Sequence, residues 1–184
     1  AELQSGDSVR FNTFLKSDRP ESAFDVADNV SIQPGNYSWV EHSLRFATTR
    51  SRPLSGRVEF IGGNWYDGNI FRFRTGLNWH PTAQLSLDLE YNEDRGRISN
   101  GDFTVRLERF TVDYSFDSKT SLETLIQSDN QSDTLGLQAR FRWVVEDGRE
   151  LFVVLDSGWE ELATGAIVPQ EHDVTFKIVY AIRL

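Results

Sequence analysis

The sequence predicts an all-β protein, an antiparallel up-and-down transmembrane β-barrel of about ten strands. Three observations carry that prediction. The first is a period of two. Residues 174–184 (V-T-F-K-I-V-Y-A-I-R-L) put Val174, Phe176, Ile178, Tyr180, Ile182 and Leu184 on one face, with Thr175, Lys177, Val179, Ala181 and Arg183 on the other. Side chains alternate in this way along a strand. The stretch is long enough to cross a bilayer at a tilt, which takes about 9–11 residues. The second observation is that such stretches recur along the chain. The third is that the connections between them sort by length.

Taken in order, the candidate strands cover 8–16, 37–48, 54–62, 69–79, 83–92, 103–116, 119–127, 134–145, 149–156 and 173–184. In the fourth, Phe71, Phe73, Leu77 and Trp79 interleave with Arg72, Arg74 and Asn78. The fifth sets Leu85, Leu87, Leu89 and Tyr91 against Ser86, Asp88 and Glu90. The eighth sets Leu135, Leu137, Phe141, Trp143 and Val145 against Gln138, Arg140 and Arg142. The ninth is apolar on both faces over 151–155 and fits least well. No segment has a helical period, and no linker or low-complexity tract divides the chain, so 1–184 reads as a single domain.

Counted back from the C-terminus, 157–173 is long, 146–149 tight, 128–133 medium, 117–119 tight and 93–102 long. Then 80–83 is tight, 63–68 medium, 50–53 tight and 17–35 long. The tight ones carry Pro, Gly, Asp and Ser, which favour turns. All of them fall on one rim, as the short periplasmic turns of membrane barrels do, and both termini are then periplasmic. Aromatics gather at the strand ends: Phe46, Trp79, Phe116 and Trp143 at the turn rim, and Tyr37, Trp39, Trp65, Tyr66, Tyr91 and Phe103 at the other. Two girdles are what amphipathic rings produce at headgroup depth.

Composition narrows the function classes. Cysteine is absent, which excludes a disulfide framework and a thiolate metal site. Methionine is absent even at position 1, so a processed product or a segment of a longer protein is expected, its signal peptide already gone. The net charge of −9 argues against a nucleic-acid partner. No apolar run approaches the ~18 residues of a transmembrane helix. Mean hydropathy alone points to a water-soluble chain, but lipid-facing and lumen-facing residues average out in a barrel.

His42, His80 and His172 are too scattered for a metal site, and no cofactor is expected. An outer-membrane hydrolase needs a nucleophile and a histidine base at one rim. Ser43 follows His42 directly and points to the other face of a strand, so the chain is not expected to be an enzyme. The inward face supplies the candidate site: Arg57, Arg72, Arg74, Arg109, Arg140 and Arg142, with Glu59, Asp88, Glu90, Asp113 and Glu123, form candidate lumen-lining charges. With about ten strands the lumen holds little beyond its own side chains, and these charges pair and fill it. In a wider barrel the arginine rows line an aqueous channel that favours anions. The outer loops are acidic, with Asp18, Glu21, Asp25 and Asp28 in the first and Glu160, Glu161, Glu171 and Asp173 in the last. They read as solvated surface; the alternative is divalent cations bridging them to lipopolysaccharide. Residues 129–133 lack the glycine and distal glutamate of a calcium loop and read as a turn.

Several stretches also carry a family likeness: 24–39 (F-D-V-A-D-N-V-S-I-Q-P-G-N-Y-S-W), 52–68 (R-P-L-S-G-R-V-E-F-I-G-G-N-W-Y-D-G), 101–116, 125–143 and 148–159. Over 24–184 the chain resembles the C-terminal β-barrel region of an uncharacterised bacterial outer-membrane protein family. Longer members of that family carry an N-terminal carbohydrate-binding family-nine-like domain. Trp65-Tyr66-Asp67-Gly68 is the most specific motif. The resemblance implies an outer-membrane barrel and brings no catalytic residues with it. Phe176, Ile178, Tyr180, Ile182 and Leu184 are the candidate assembly signal, with Leu184 where Phe or Trp is commoner. The expected partners are outer-membrane lipid and lipopolysaccharide and the barrel-assembly machinery. The expected role is a small pore or a membrane anchor, integral to the bacterial outer membrane. The rival is a soluble β-barrel that binds a lipid or another small apolar ligand, its apolar face turned inward. Several Phe, Trp and Leu per strand would overfill so small an interior.

Overall fold

A computed structural model describes residues 2–162 and 164–180. Its elements are β1 (Ser8–Asp18), β2 (Phe24–Ala27), β3 (Val30–Ile32), β4 (Tyr37–Ala47), β5 (Leu54–Trp65), β6 (Gly68–Trp79), β7 (Leu85–Ile98), β8 (Gly101–Ser115), β9 (Thr120–Asp129), β10 (Thr134–Glu146), β11 (Arg149–Glu161) and β12 (Ile167–Tyr180). No helix occurs among the described residues. One ten-stranded sheet runs β1-β4-β5-β6-β7-β8-β9-β10-β11-β12, and β2-β3 form a separate two-stranded sheet. Consecutive strands of the large sheet are neighbours throughout, the up-and-down order expected from the sequence. Among the described residues no ladder joins β1 to β12, so the sheet is not closed into a barrel.

Strand length is where sequence and structure part. The expected long connection 93–102 is mostly strand: β7 runs to Ile98 and β8 starts at Gly101. Likewise only Tyr66 and Asp67 separate β5 from β6, and β11 and β12 extend to Glu161 and from Ile167. Loops are therefore not sorted by length as expected; the strands themselves extend on that side. Apolar alternation stops near Tyr91, but the backbone ladder continues with polar residues on both faces. Period-two hydrophobicity cannot see such an extension. Within 17–35 the chain forms the β2-β3 hairpin, turning at Asp28-Asn29, with Asn29 at φ 60. A hairpin turn of this kind favours Asn and Asp in left-handed conformations.

The chain divides into two compact units, 2–77 with Glu90–Leu107, and Asn78–Leu89 with 108–180. In the first, register fixes the faces: Arg10↔Arg45, Asn12↔Ser43, Phe14↔Glu41 and Lys16↔Trp39 across β1-β4, then Glu41↔Gly63 and Arg45↔Glu59 across β4-β5. The opposite face pairs Val9↔Phe46, Phe11↔Leu44 and Leu15↔Val40. In the second unit, Gln138↔Leu125 and Arg140↔Glu123 share the polar face, while Leu137↔Ile126 and Phe141↔Leu122 share the apolar one. Across β11-β12 the apolar face continues as Leu151↔Ile178, Val153↔Phe176 and Leu155↔Val174.

This apolar face is uncovered. Leu15 is 86% exposed, Phe11 65%, Phe176 71% and Ile178 78%. The buried hydrophobics among the described residues are Val30, Ile32, Trp39, Ile70 and Ile98, all in the first unit. Three of them, Val30, Ile32 and Ile98, form a small core with Val26, Ala27, Tyr37, Trp65, Tyr66 and Phe103 packed around it. The hairpin thus packs over the polar face, at the end where β1, β4, β5 and β6 meet the extended connections.

Candidate functional site

Glu41 is the centre of this region. Its position in β4 turns it to the polar face, and its side chain is 2% exposed. A carboxylate so buried needs partners, because unpaired burial of a charge is very costly. Three donors reach it: Trp39 Nε1 at 2.8 Å, Lys16 Nζ at 3.0 Å and Arg72 Nη1 at 2.8 Å. Opposite it in register stands Gly63, where a Cβ would collide with the Val40 carbonyl. Glycine there lets β5 approach β4 closely. Arg72 also meets Asp94 at 3.4 Å, and Arg74 pairs with the same carboxylate. Lys16, Arg72 and Arg74 thus face Glu41 and Asp94, an ion network left with one excess positive charge.

An aromatic roof covers the network. Tyr66 makes ring contacts with Trp39 at 4.8 Å, Trp65 at 4.9 Å, Tyr37 at 5.0 Å and Phe24 at 6.0 Å. Its hydroxyl donates to Asp18 Oδ2 at 2.6 Å. Burial first, and then that bond and the Asp18 charge, push the Tyr66 phenol up to about 12. The Arg72 guanidinium lies 5.8 Å from the Trp65 ring centroid, a cation–π distance. The neighbouring turns are latched together. Asp67 accepts from the Ser99 backbone N–H and hydroxyl, Asn100 Nδ2 donates to Ser31 Oγ at 3.2 Å, and Tyr37 donates to the Gln33 carbonyl at 3.0 Å. Tyr37, Trp39, Trp65, Tyr66 and Phe103, expected as an outer girdle, are instead packed with the hairpin core and with one another. At the turn rim, Phe46, Trp79, Phe116 and Trp143 are exposed.

The other sequence-predicted charges spread along both units. In the first, Arg57 meets Glu90 at 2.6 Å, and Glu59 lies across from Arg45. In the second, Asp88 accepts from Asn78 and from Ser86, and Arg109 donates to Gln127 at 3.1 and 3.3 Å. Arg142 meets Glu150 at 2.7 Å, Arg140 lies 3.9 Å from Glu123, and Asp113 stands near Glu123 and Asp88. Arg72 and Arg74 meet Glu41 and Asp94, neither of which is among the candidate lumen-lining charges. Asp94 fell in an expected loop. The run Asp94, Gly96, Ile98, continuing the register of Asp88 and Glu90, was the signal that could have found it.

His42 lies on the apolar face, stacked 5.9 Å from Phe11, with Thr13 Oγ1 at 3.0 Å from its Nδ1. Ser43 faces the other way, 1% exposed, and accepts from Asn12. Among the described residues no three His, Asp or Glu are placed to hold a metal ion. The 129–133 segment is an Asx turn, with Asp129 accepting from the Gln131 and Ser132 backbone N–H groups. Of the candidate assembly signal, Phe176, Ile178 and Tyr180 are exposed on the apolar face of β12; Ile182 and Leu184 lie outside the described residues. No protein-family model matches this chain, and no curated protein or solved structure matches it either.

Proposed function

We propose that this chain is a transmembrane β-barrel, or part of one, in the bacterial outer membrane. Its lumen is narrow and filled by paired charges, and its role is a small pore or an anchor, with lipid, lipopolysaccharide and the assembly machinery as partners. The likeness to the outer-membrane barrel family belongs to the same proposal, and no enzymatic role is part of it. One observation carries the reading: in each unit the large apolar side chains form an exposed face, while Glu41, Ser43 and Ser55 hold buried positions on the opposite face. A fold that met water on that face would expose far more contiguous apolar surface than monomers tolerate.

The apolar face also has limits along the strand direction. In β10 it runs from Leu135 through Leu137, Phe141 and Trp143 to Val145. At about 3.3 Å per residue and a tilt near 40°, that span covers about 25 Å, the height of a barrel's apolar band. The rival, a soluble barrel with its apolar face inward, is disfavoured by the hairpin, which packs on the polar side. Closure of the sheet is part of the proposal.

Arginine substitution tests the reading. At mid-bilayer on the lipid face, Arg costs about 2–4 kcal/mol. Leu87→Arg or Phe141→Arg is expected to abolish the heat-modifiable gel shift of a folded membrane barrel, with Ser86→Arg keeping it. Equal tolerance of all three changes would sink the assignment.

A further inference from the structure

The connection between β7 and β8 is Ser99-Asn100, and β8 opens on Gly101. The fold imposes glycine there. Its φ is 156, and a Cβ would stand 3.1 Å from Cγ2 of Val30, in the small hairpin core. Packing of β3 against the β7-β8 turn therefore places a glycine directly after Asn100, the single Asn-Gly pair in the sequence. Asn100 is exposed, and its Nδ2 donates to Ser31 Oγ at 3.2 Å, a side-chain hydrogen bond that ties this turn to β3. Carboxylates stand on both sides of it. Asp67 accepts from Ser99, while Asp102 follows Gly101 and pairs with Arg97 at 3.1 Å. With Arg97 set against these two acids, the turn carries one net negative charge. All of these groups belong to the first unit.

We infer that Asn100 is a self-modification site whose deamidation releases the β2-β3 hairpin. The backbone nitrogen of Gly101 attacks the Asn100 Cγ, and the bond from Cγ to Nδ2 breaks. The proton of that backbone nitrogen leaves with Nδ2 as ammonia, and a succinimide ring remains. Water then opens the ring at either carbonyl, leaving aspartate or isoaspartate. The sum is an amide and water giving an acid and ammonia, with no oxidant or reductant. Glycine favours the first step because no side chain at 101 hinders its nitrogen. Either product loses the N–H donor to Ser31 and adds a carboxylate beside Asp67 and Asp102. Isoaspartate also lengthens the backbone by a methylene, at the point where Gly101 packs on Val30. Each change weakens the hold of the turn on β3. The hairpin core is small, so its seat on the polar face depends on this amide.

Timed incubation of the folded chain in mildly alkaline buffer tests this, with peptide mass mapping and hydrogen exchange on the same samples. Asn100 is expected to trade its NH2 for OH and to yield both aspartate and isoaspartate, ahead of the other asparagines. Exchange in β2-β3 is expected to quicken about tenfold in the converted fraction, the worth of one lost hydrogen bond, with β4 and β5 still protected. Asn100→Asp is expected to show the fast hairpin from the start. Asn100→Gln keeps an amide but closes its ring far more slowly, and it is expected to hold its starting protection throughout. If Asn100→Asp fails to fold, the wild-type time course decides alone, since each sample holds converted and unconverted chains. An amide that survives in the folded chain while the urea-unfolded chain converts overturns the site, because the turn then protects it. Conversion with hairpin exchange unchanged overturns the release. Both readouts are indifferent to the membrane reading.

Discussion

Tyr66 holds a backbone conformation that bulky residues avoid, at φ 47 between β5 and β6. Such a placement costs of order 1–3 kcal/mol and persists where surrounding contacts over-determine it. Here Trp39, Trp65, Tyr37 and Phe24 surround the ring, and Asp18 takes the hydroxyl proton in a hydrogen bond. The left-handed turn is what brings the ring against Trp39, Trp65 and Tyr37. A titration follows from that placement. The phenol is raised to about 12 from the ordinary 10, so folding favours its neutral form. The stabilisation is complete below pH 10, where folded and unfolded chains both keep the proton, and it declines between pH 10 and 12 as the unfolded chain ionises first. Subtracting the ultraviolet titration of Tyr66→Phe from that of the wild type is expected to isolate a component near pH 12. Asp18→Asn is expected to move it down without restoring the ordinary value, since burial is the larger cause. A difference component at the ordinary value near pH 10 would mean that Tyr66 is open to water and that the roof does not exist.

At the scale of elements, the hairpin β2-β3 is the part of the fold that sequence periodicity conceals. Its strands are too short for alternation to register, and Phe24 to Ile32 mixes Asp25, Asp28 and Ser31 among the apolar residues. Asp28-Asn29 between Ala27 and Val30 was the legible turn signal. The long strands were legible for the opposite reason. Leu135 to Val145 must keep one face apolar over its whole length, and a slip of one residue would reverse every side chain. The polar extension of β7 was illegible because no apolar face has to be kept there. The ion network was half legible: Arg72 and Arg74 stood out by spacing, but Glu41 was one inward carboxylate among several until the fold brought Lys16 and Trp39 beside it. The hairpin core is small, so one change should release it. Ile32→Asp puts a charge at a position 2% exposed, and hydrogen exchange is expected to become fast in β2-β3 while β4 and β5 stay protected. If protection in β4 and β5 is lost as well, the hairpin is an integral part of the sheet and not a separate cover for its polar face.

For the whole molecule, orientation has to be argued from what replaces the expected loop sorting. The connections 48–53, 80–84, 116–119 and 147–148 lie at one end of the strands, and the aromatic side chains Phe46, Trp79, Phe116 and Trp143 sit immediately beside them. On the proposed membrane reading, that end stops at an interface. At the opposite end the strands continue past the apolar face as the polar ladder of β7 and β8, and the hairpin lies on the same side. If the chain spans the outer membrane as proposed, this projecting end is the extracellular one, since periplasmic turns are short. The chain has no cysteine, so single substitutions report topology without background. Gln131 and Ser118 are both exposed, the first in the connection after β9 and the second in the one before it. On intact cells a membrane-impermeant maleimide is expected to label Gln131→Cys and to leave Ser118→Cys unlabelled until the outer membrane is permeabilised. The reverse pattern would put the hairpin on the periplasmic side and invert the topology. Equal labelling of both sites on intact cells would mean that the sheet does not span the membrane, and the exposed apolar face would then need another cover.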